Sequence, residues 1–190
     1  VHSLEAKPPE PLWYNRLMRK VSFVEGEHYH VYNRGVDKRP LFTEPKDFKR
    51  FFESIEAFNT TEPIGSIFEK NWFAGKTKKP SGGPSGSLAS RREKPLVNFI
   101  CYCVNPNHFH FLLEQVAENG ITKFMHRLAT GYTLYFNEKH KRSGSLFQGS
   151  YKAIHVNTND YLLHVSSYIN LNYRVHKIRT SGSLASKFVR

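Results

Sequence analysis

The chain has 190 residues, with 28 lysines and arginines against 16 aspartates and glutamates, so its formal net charge at pH 7 is +12. This length suits a single domain with a sizeable core, and the charge favours a polyanionic partner, above all nucleic acid. A membrane surface is the competing partner. However, the basic residues are spread along the chain and no segment approaches about 18 consecutive apolar residues, so we expect no membrane partner.

The chain divides into a core domain with irregular flanks. Residues 1–20 are basic and contain three closely spaced prolines, which is typical of an arm outside the core. Residues 21–178 are expected to form the domain, followed by a short tail at 179–190. Residues 60–94 interrupt the domain pattern with a Lys-, Pro- and Gly-rich centre, which indicates an inserted flexible loop.

Apolar periodicity predicts the elements of the domain in chain order. They are a strand at 28–33, a helix capped by Thr43 and ending near Phe58, strands at 96–104 and 108–114, a helix at 121–138, a strand at 151–156, and a last helix capped by Thr158 or Asn159. One compact arrangement is an α+β fold, a ferredoxin-like or RRM-like antiparallel sheet with two helices on one face. The C-terminal helix follows this unit.

Two histidines lie two residues apart and alternate with two phenylalanines at the start of an apolar run. Because side chains alternate along a strand, His108 and His110 are expected on one face of the sheet, as neutral nitrogen ligands for a divalent metal. Two packing histidines are the alternative. A zinc site shared with Cys101 and Cys103 is another, although the spacing matches no standard zinc finger. The two cysteines also share a face, and we expect them to be reduced.

Tyr168 and Asn172 stand four residues apart in the last helix, so a phenol and an amide could face the two histidines together. A pair of metal-binding histidines, a nucleophile and a basic chain together suggest an enzyme that cuts nucleic acid. A packing tyrosine is the alternative for Tyr168. Tyr161 is the competing nucleophile, but it lies about two helical turns from Asn172.

Four motifs extend this pattern across about residues 21–177. They are His30-Val31-Tyr32-Asn33-Arg34-Gly35, Asn105-Pro106-Asn107-His108-Phe109-His110-Phe111-Leu112-Leu113, Gly144-Ser145-Leu146-Phe147-Gln148-Gly149 and Tyr168-Ile169-Asn170-Leu171-Asn172. With these motifs the chain resembles the single-tyrosine HUH transposases, especially the REP-associated tyrosine transposases. The resemblance implies that His108, His110 and Asn172 bind the metal and that Tyr168 attacks DNA. One departure is Tyr173, where the family usually has proline, and this leaves the end of the helix open.

The resemblance also implies the chemistry and the partners. The cofactor would be a divalent metal, Mg²⁺ or Mn²⁺, and the reaction would be DNA transposition through a 5′-phosphotyrosine intermediate. The substrate would be single-stranded DNA with a hairpin, in the bacterial cytoplasm at the nucleoid. Family members work as homodimers or as monomers, and in a dimer Tyr168 could complete the site of the other subunit.

Basic and amide side chains near the predicted turns are candidates for DNA contact, since they are able to reach phosphates or base edges. The candidates are Arg34, Lys38, Arg39, Arg142, Gln148 and Lys152. The alternative for each of them is an ordinary solvated side chain on the surface, without a DNA contact. Tyr32 or Phe147 could stack an unpaired base, with core packing as the alternative, and His164 could orient Tyr168 or approach the metal.

Two other functions remain open for this sequence. The first is a non-catalytic, RRM-like nucleic-acid binder, a domesticated relative whose basic face binds without cutting. The second is a metal-dependent phosphodiesterase that uses activated water. It would form no covalent adduct, and its activity would survive replacement of Tyr168 by phenylalanine.

Overall fold

The computed structural model describes residues 21–62 and 94–179, and it describes side chains as far as residue 172 of the last helix. The predicted arm, most of the predicted insertion and nearly all of the predicted tail lie outside the described residues. Within the described part, none of the helices is long and apolar enough to cross a membrane.

The structure confirms the predicted α+β fold, in the predicted order of elements. The elements are β1 (His28–Arg34), α1 (Pro45–Phe58), β2 (Val97–Asn105), β3 (His108–Gln115), α2 (Gly120–Lys139), β4 (Lys152–Val156) and α3 (Asn159–Arg179). A short 3-10 turn at Val36–Lys38 follows β1. The hairpin turn is shorter than predicted, because Asn105 belongs to β2 and only Pro106 and Asn107 remain in the turn.

The four strands form one antiparallel sheet in the order β2-β3-β1-β4. This is the ferredoxin-like order, in which the first and third strands occupy the centre. The strand that carries both histidines is therefore an inner strand, hydrogen-bonded on both sides. In the register, Arg34 of β1 and Asn105 of β2 both lie opposite His108 of β3.

The main core lies between one face of the sheet and the pair α1 and α2. It contains Tyr29, Val31, Phe109, Phe111 and Leu113 from the sheet, with Phe48, Phe51, Phe124, Leu128 and Tyr132 from the helices. Phe51 joins the layers, with its ring centroid 4.9 Å from that of Tyr132 and 5.6 Å from that of Phe109. Full burial of such a side chain contributes about 1.5–3 kcal/mol, so this aromatic cluster dominates the stability of the sheet.

The two helices of the core approach each other closely at Gly131. A Cβ at this position would lie 2.6 Å from a ring carbon of Phe58. Glycine in a helix interior normally costs about 1 kcal/mol relative to alanine. At Gly131 the missing side chain instead makes room for the Phe58 ring, which is buried between the helices.

The opposite face of the sheet is covered by α3. Thr158 caps this helix, since its Oγ1 accepts a hydrogen bond from the Tyr161 backbone N–H at 3.2 Å. Val165 and Ile169 pack with Cys103, Leu112 and Val156 in a small second cluster. The chain has tyrosine rather than proline at position 173, and the helix accordingly continues beyond Asn172 to Arg179.

The start of α1 depends on the buried carboxylate of Asp47. The N-cap is Glu44, and the prediction that Thr43 caps the helix is wrong because both the N–H and the hydroxyl of Thr43 bind Asp47 Oδ2, at 2.8 and 2.7 Å. Lys139 Nζ of α2 lies 2.5 Å from Asp47 Oδ1 and also pairs with Glu44. Burial alone would raise the pKa of the Asp47 carboxyl, but the hydrogen bonds from Lys139 and Thr43 outweigh it and hold this pKa below its ordinary value.

Replacing Asp47 by asparagine should lower the free energy of unfolding by about 2 kcal/mol at neutral pH, because hydrogen bonds to a charged group contribute roughly 1.5–3 kcal/mol. A carboxylate with a depressed folded pKa stabilises the fold above its unfolded pKa, and this contribution is lost as the pH falls through the folded pKa. The difference between wild type and Asp47→Asn should therefore be full above about pH 4 and shrink below it.

Urea unfolding from about pH 2 to pH 7 measures this difference. The matched control is Asp37→Asn, because the Asp37 carboxylate is 80% exposed and its ion pair with Arg39 is 3.5 Å long. This control should change stability by less than about 0.5 kcal/mol. A deficit in Asp47→Asn that stays constant down to the lowest pH would contradict a charged role for Asp47.

Candidate functional site

The candidate site lies on the face of the sheet that α3 partly covers. Antiparallel pairing places Tyr32 opposite His110 and Arg34 opposite His108. On the other side of β3, Cys103 lies opposite His110. Residues opposite each other in a ladder share a face, so both histidines point away from the aromatic core and towards α3.

The structure brings together the four residues that the sequence nominates for the reaction. The ring centroids of His108 and His110 are 5.2 Å apart, and the Tyr168 ring centroid lies 5.8 Å from that of His110. Tyr168 is 48% exposed and therefore accessible to a large substrate. Asn172 is buried one turn further along α3, and its Oδ1 accepts a hydrogen bond from Asn105 Nδ2 at 2.9 Å.

A chain of side-chain hydrogen bonds orients His108. Asn107 Nδ2 donates to the Lys38 carbonyl at 3.1 Å, so the Asn107 amide must turn its oxygen towards His108. That oxygen lies 2.7 Å from His108 Nδ1, which places the ring proton on Nδ1. His108 Nε2 then carries the lone pair, and it faces the Asn105 Nδ2 donor at 3.1 Å. The neutral ring is thus held in the tautomer that can offer Nε2 to a metal.

A third histidine, His30, is not among the residues that the sequence nominates, and it contacts His110. His30 Nε2 lies 2.9 Å from His110 Nδ1, and the two rings are stacked with centroids 5.1 Å apart. Burial lowers the pKa of the His30 imidazole and favours its neutral form. A neutral His30 can accept the Nδ1 proton of His110, which leaves His110 Nε2 as the lone-pair nitrogen. The Tyr168 ring also faces His30, at a centroid distance of 6.3 Å.

The other two candidates on α3, Tyr161 and His164, have different surroundings from Tyr168. Tyr161 is partly buried and packs against the small cluster that includes Leu112 and Val165. His164, one turn before Tyr168, is exposed. The helix therefore places Tyr168, rather than Tyr161, beside the rings of His110 and His30.

A groove of about 470 Å³ opens next to the histidines. Its lining residues are Tyr32, Asn33, Arg34, Lys38, Asn107, His108, His110, Gln148 and Lys152. Four of the six predicted DNA-contacting residues are in this lining, and Arg34 Nε donates to Gln148 Oε1 across the groove. Tyr32 presents a half-buried ring there, whereas Phe147 is buried in the main core.

The remaining two predicted DNA-contacting residues are not part of the groove lining. Arg39 turns towards Asp37, with its Nη2 3.5 Å from the Asp37 carboxylate. The Arg142 guanidinium lies over the Phe136 ring, 5.7 Å from its centroid, and donates to the Ser145 carbonyl at 3.3 Å. Both guanidinium groups fold back onto their own surroundings.

The donor set of the site combines imidazoles with amides. Over residues 21–62 and 94–172, no three His, Cys, Asp or Glu side chains are grouped so as to hold a metal ion. For a metal beside His108 and His110, the further protein ligands available among the described residues are amide oxygens. Asn172 Oδ1 fits this role, since it shares the Asn105 amide with His108 Nε2.

Comparisons with known proteins point to one family. Residues 87–172, which include both histidines, Tyr168 and Asn172, match the family model of IS200-like transposases. A REP-associated tyrosine transposase bound to a REP hairpin aligns at a TM-score of 0.54 and 11% identity, covering 84% of this chain and 73% of that chain. A protein of Deinococcus radiodurans R1, provisionally named a transposase, aligns at a TM-score of 0.42 and 11% identity, covering 81% and 96%. No curated protein matches the chain.

The family-model match confirms the resemblance to the IS200-like transposases. The family model covers the hairpin that carries both histidines, the second helix, the last strand and the last helix as far as Asn172. The first of the two solved structures has the same fold as this chain.

Replacing Asn107 by alanine should release the tautomer of His108. In the wild type, neutral His108 should carry its proton on Nδ1, because Asn107 Oδ1 is its acceptor. Long-range ¹H–¹⁵N correlation spectra at alkaline pH report which nitrogen is protonated. We expect an Nδ1–H signature in the wild type and a shift towards Nε2–H in Asn107→Ala.

His126 is the internal control for this measurement, because it is exposed on α2, on the far side of the sheet from His108. Its nitrogen shifts should be the same in both proteins. An Nε2–H signature for His108 in the wild type would show that the hydrogen-bond chain from Lys38 does not set the tautomer.

Proposed function

We propose that the chain cuts single-stranded DNA with Tyr168 and transfers the cut strand to a new end, a function that its match to the family model of IS200-like transposases supports. The observation that carries this proposal is the position of Tyr168, which is half exposed and whose ring centroid lies 5.8 Å from that of His110, a residue of the basic groove. A phenol, a pair of lone-pair nitrogens and a phosphate-binding surface are the parts that such a reaction needs.

The first step is an attack by Tyr168 Oη on the scissile phosphorus. A bond forms between Oη and phosphorus, and the bond from phosphorus to the 3′ oxygen breaks. The proton of the phenol is balanced by the proton that the 3′ oxygen gains, so the products are a 5′-phosphotyrosine and a free 3′-hydroxyl. The phosphotyrosine ester keeps the energy of the cleaved linkage, and a second 3′-hydroxyl can therefore displace Tyr168 without ATP.

We assign His108, His110 and Asn172 as ligands of a divalent metal, Mg²⁺ or Mn²⁺. When bound, the metal would act as a Lewis acid on the scissile phosphate. All three ligands are uncharged when the rings are neutral, so the full double charge of the cation stays available to the phosphate oxygens. The amide oxygen of Asn172 and the phosphate oxygens suit magnesium or manganese, whereas imidazole ligands alone would also suit zinc. His30 and Asn107 have the role of holding His110 and His108 in the required tautomers.

The basic groove supplies the binding surface for DNA. Arg34, Lys38 and Lys152 present positive charge along its lining, and Gln148 adds an amide that can pair with a base edge. The half-buried Tyr32 ring offers a stacking surface for an unpaired base. A solved relative in fold is bound to a REP hairpin, and we propose a hairpin-bearing single strand as the substrate here.

Tyr168→Phe should abolish the covalent protein–DNA adduct, because the variant retains the ring and loses the attacking oxygen. The measurement uses wild type and variant with labelled single-stranded hairpin DNA, taken from the sequence that flanks the gene, and Mn²⁺ or Mg²⁺. Adducts that resist denaturation are resolved on a gel. Tyr161→Phe is the matched control on the same helix and should form the adduct at about the wild-type level.

The outcomes separate the competing functions. Salt-sensitive binding without cleavage by the wild type would favour the non-catalytic binder. Cleavage that persists in Tyr168→Phe would favour activated water. A mixture of Tyr168→Phe and His108→Ala subunits should form no adduct if each chain uses its own tyrosine, as the closeness of Tyr168 and His110 within one chain suggests. An adduct in the mixture would show that the tyrosine acts in the partner's site of a homodimer.

The double variant Lys38→Gln, Lys152→Gln should bind the same DNA more weakly and with a weaker dependence on salt. Each phosphate contact to a single strand contributes about 0.7 to the slope of log affinity against log salt concentration, so the slope should fall by about 1.4. Fluorescence anisotropy at several salt concentrations measures it. Lys49→Gln is the control, because Lys49 is exposed on α1 on the opposite side of the sheet. An equal loss of DNA affinity in the double variant and in Lys49→Gln would show that the groove is not the binding surface.

A further inference from the structure

Asn105, the last residue of β2, is fully buried between two of the proposed metal ligands. Its Nδ2 lies 3.1 Å from His108 Nε2 and 2.9 Å from Asn172 Oδ1. A weaker contact joins Nδ2 to Cys103 Sγ at 3.4 Å. The other end of the amide, Oδ1, is buried and accepts no hydrogen bond from the described residues. The Nδ2 end of this side chain therefore faces three acceptors, whereas no described donor reaches the Oδ1 end.

The present orientation of the amide follows from the hydrogen-bond chain that begins at Lys38. The Lys38 carbonyl fixes the Asn107 amide, and Asn107 fixes the His108 proton on Nδ1. His108 Nε2 is then an acceptor, and Asn105 must offer it an N–H. The Asn105 NH₂ group thus lies between two lone-pair atoms, His108 Nε2 and Asn172 Oδ1. A cation would satisfy these same two atoms.

We propose that Asn105 is a further metal ligand, whose amide turns over when a divalent cation binds. A half-turn about the Cβ–Cγ bond exchanges NH₂ and oxygen with almost no change of shape. It breaks no hydrogen bond at the Oδ1 end, because no described donor holds that atom. After the turn, Asn105 Oδ1 would take the place of Nδ2, next to the lone-pair atoms His108 Nε2 and Asn172 Oδ1. Such an arrangement is repulsive when empty and favourable around a cation.

This inference rests on the metal site of the proposed function and extends its ligand set. His108, His110, Asn172 and Asn105 supply four protein atoms, and magnesium or manganese usually takes six ligands. Two positions would remain for oxygens of the DNA phosphate or of water. Without a cation, the same Asn105 amide hydrogen-bonds to His108 and Asn172, and it ties the sheet to α3.

The test measures Mn²⁺ affinity of the full chain by titration calorimetry, together with the Mn²⁺-induced rise in Tm. Asn105→Leu keeps the approximate size but has no oxygen, and its Mn²⁺ affinity should fall about tenfold or more. Asn105→Asp supplies a charged oxygen and no N–H group. It should be less stable than wild type without metal, and it should show a higher Mn²⁺ affinity and a larger Mn²⁺-induced rise in Tm.

Cys101→Ala is the matched control. Cys101 lies on the same face of β2, four residues before Asn105, and packs against the small cluster under α3. Its Mn²⁺ affinity should equal that of the wild type. Asn105 would be a purely structural tie if Asn105→Leu bound Mn²⁺ as tightly as the wild type. If Asn105→Leu does not fold, an Asn105→Asp affinity at or below the wild-type value overturns the inference.

The failure of this inference is distinguishable from the failure of the proposed function. A wild-type protein that binds no Mn²⁺ overturns the metal centre and the role of Asn105 together. A wild-type protein that binds Mn²⁺ and forms the Tyr168 adduct, with Asn105→Leu equal in Mn²⁺ affinity, overturns the role of Asn105 alone.

Discussion

The pairing register of β3 with its two neighbours is the constraint on which the candidate site depends. Side chains alternate along a strand, so a slip of one residue would move both histidines into the aromatic core and two phenylalanines out of it. The burial of Phe109 and Phe111 against α1 and α2 opposes that slip. The apolar packing on one face thereby fixes the positions of His108 and His110 on the other.

The two faces of the sheet differ in function: one carries most of the apolar core, and the other carries the candidate site. The face under α1 and α2 buries a continuous aromatic cluster, whereas α3 is held on the other face by a few apolar contacts, among them those of Val165 and Ile169. This lighter cover leaves Tyr168 exposed while Asn172, one turn along, is buried. A helix anchored on one apolar stripe can thus place an exposed phenol beside His110 and a buried amide near His108.

The sequence predicts what depends on local periodicity and fails where residues meet only through the fold. A period of two shows His108 and His110 on one face, and helical spacing relates Tyr168 to Asn172. The part played by His30 could not be predicted, because its contact with His110 joins residues 80 apart and needs the pairing of β1 with β3. A resemblance to known motifs includes His30 but assigns it no partner.

The same reason explains the smaller differences. Threonine is a favoured N-cap residue, but the N–H and the hydroxyl of Thr43 both donate to Asp47, and Glu44 is the N-cap. Arg39 and Arg142 lie near turns like the other basic candidates, yet an aspartate and an aromatic ring draw them back from the groove. A basic residue in a sequence shows its charge but not its direction. In this protein the direction of each side chain decides which basic residues line the groove beside His108 and His110.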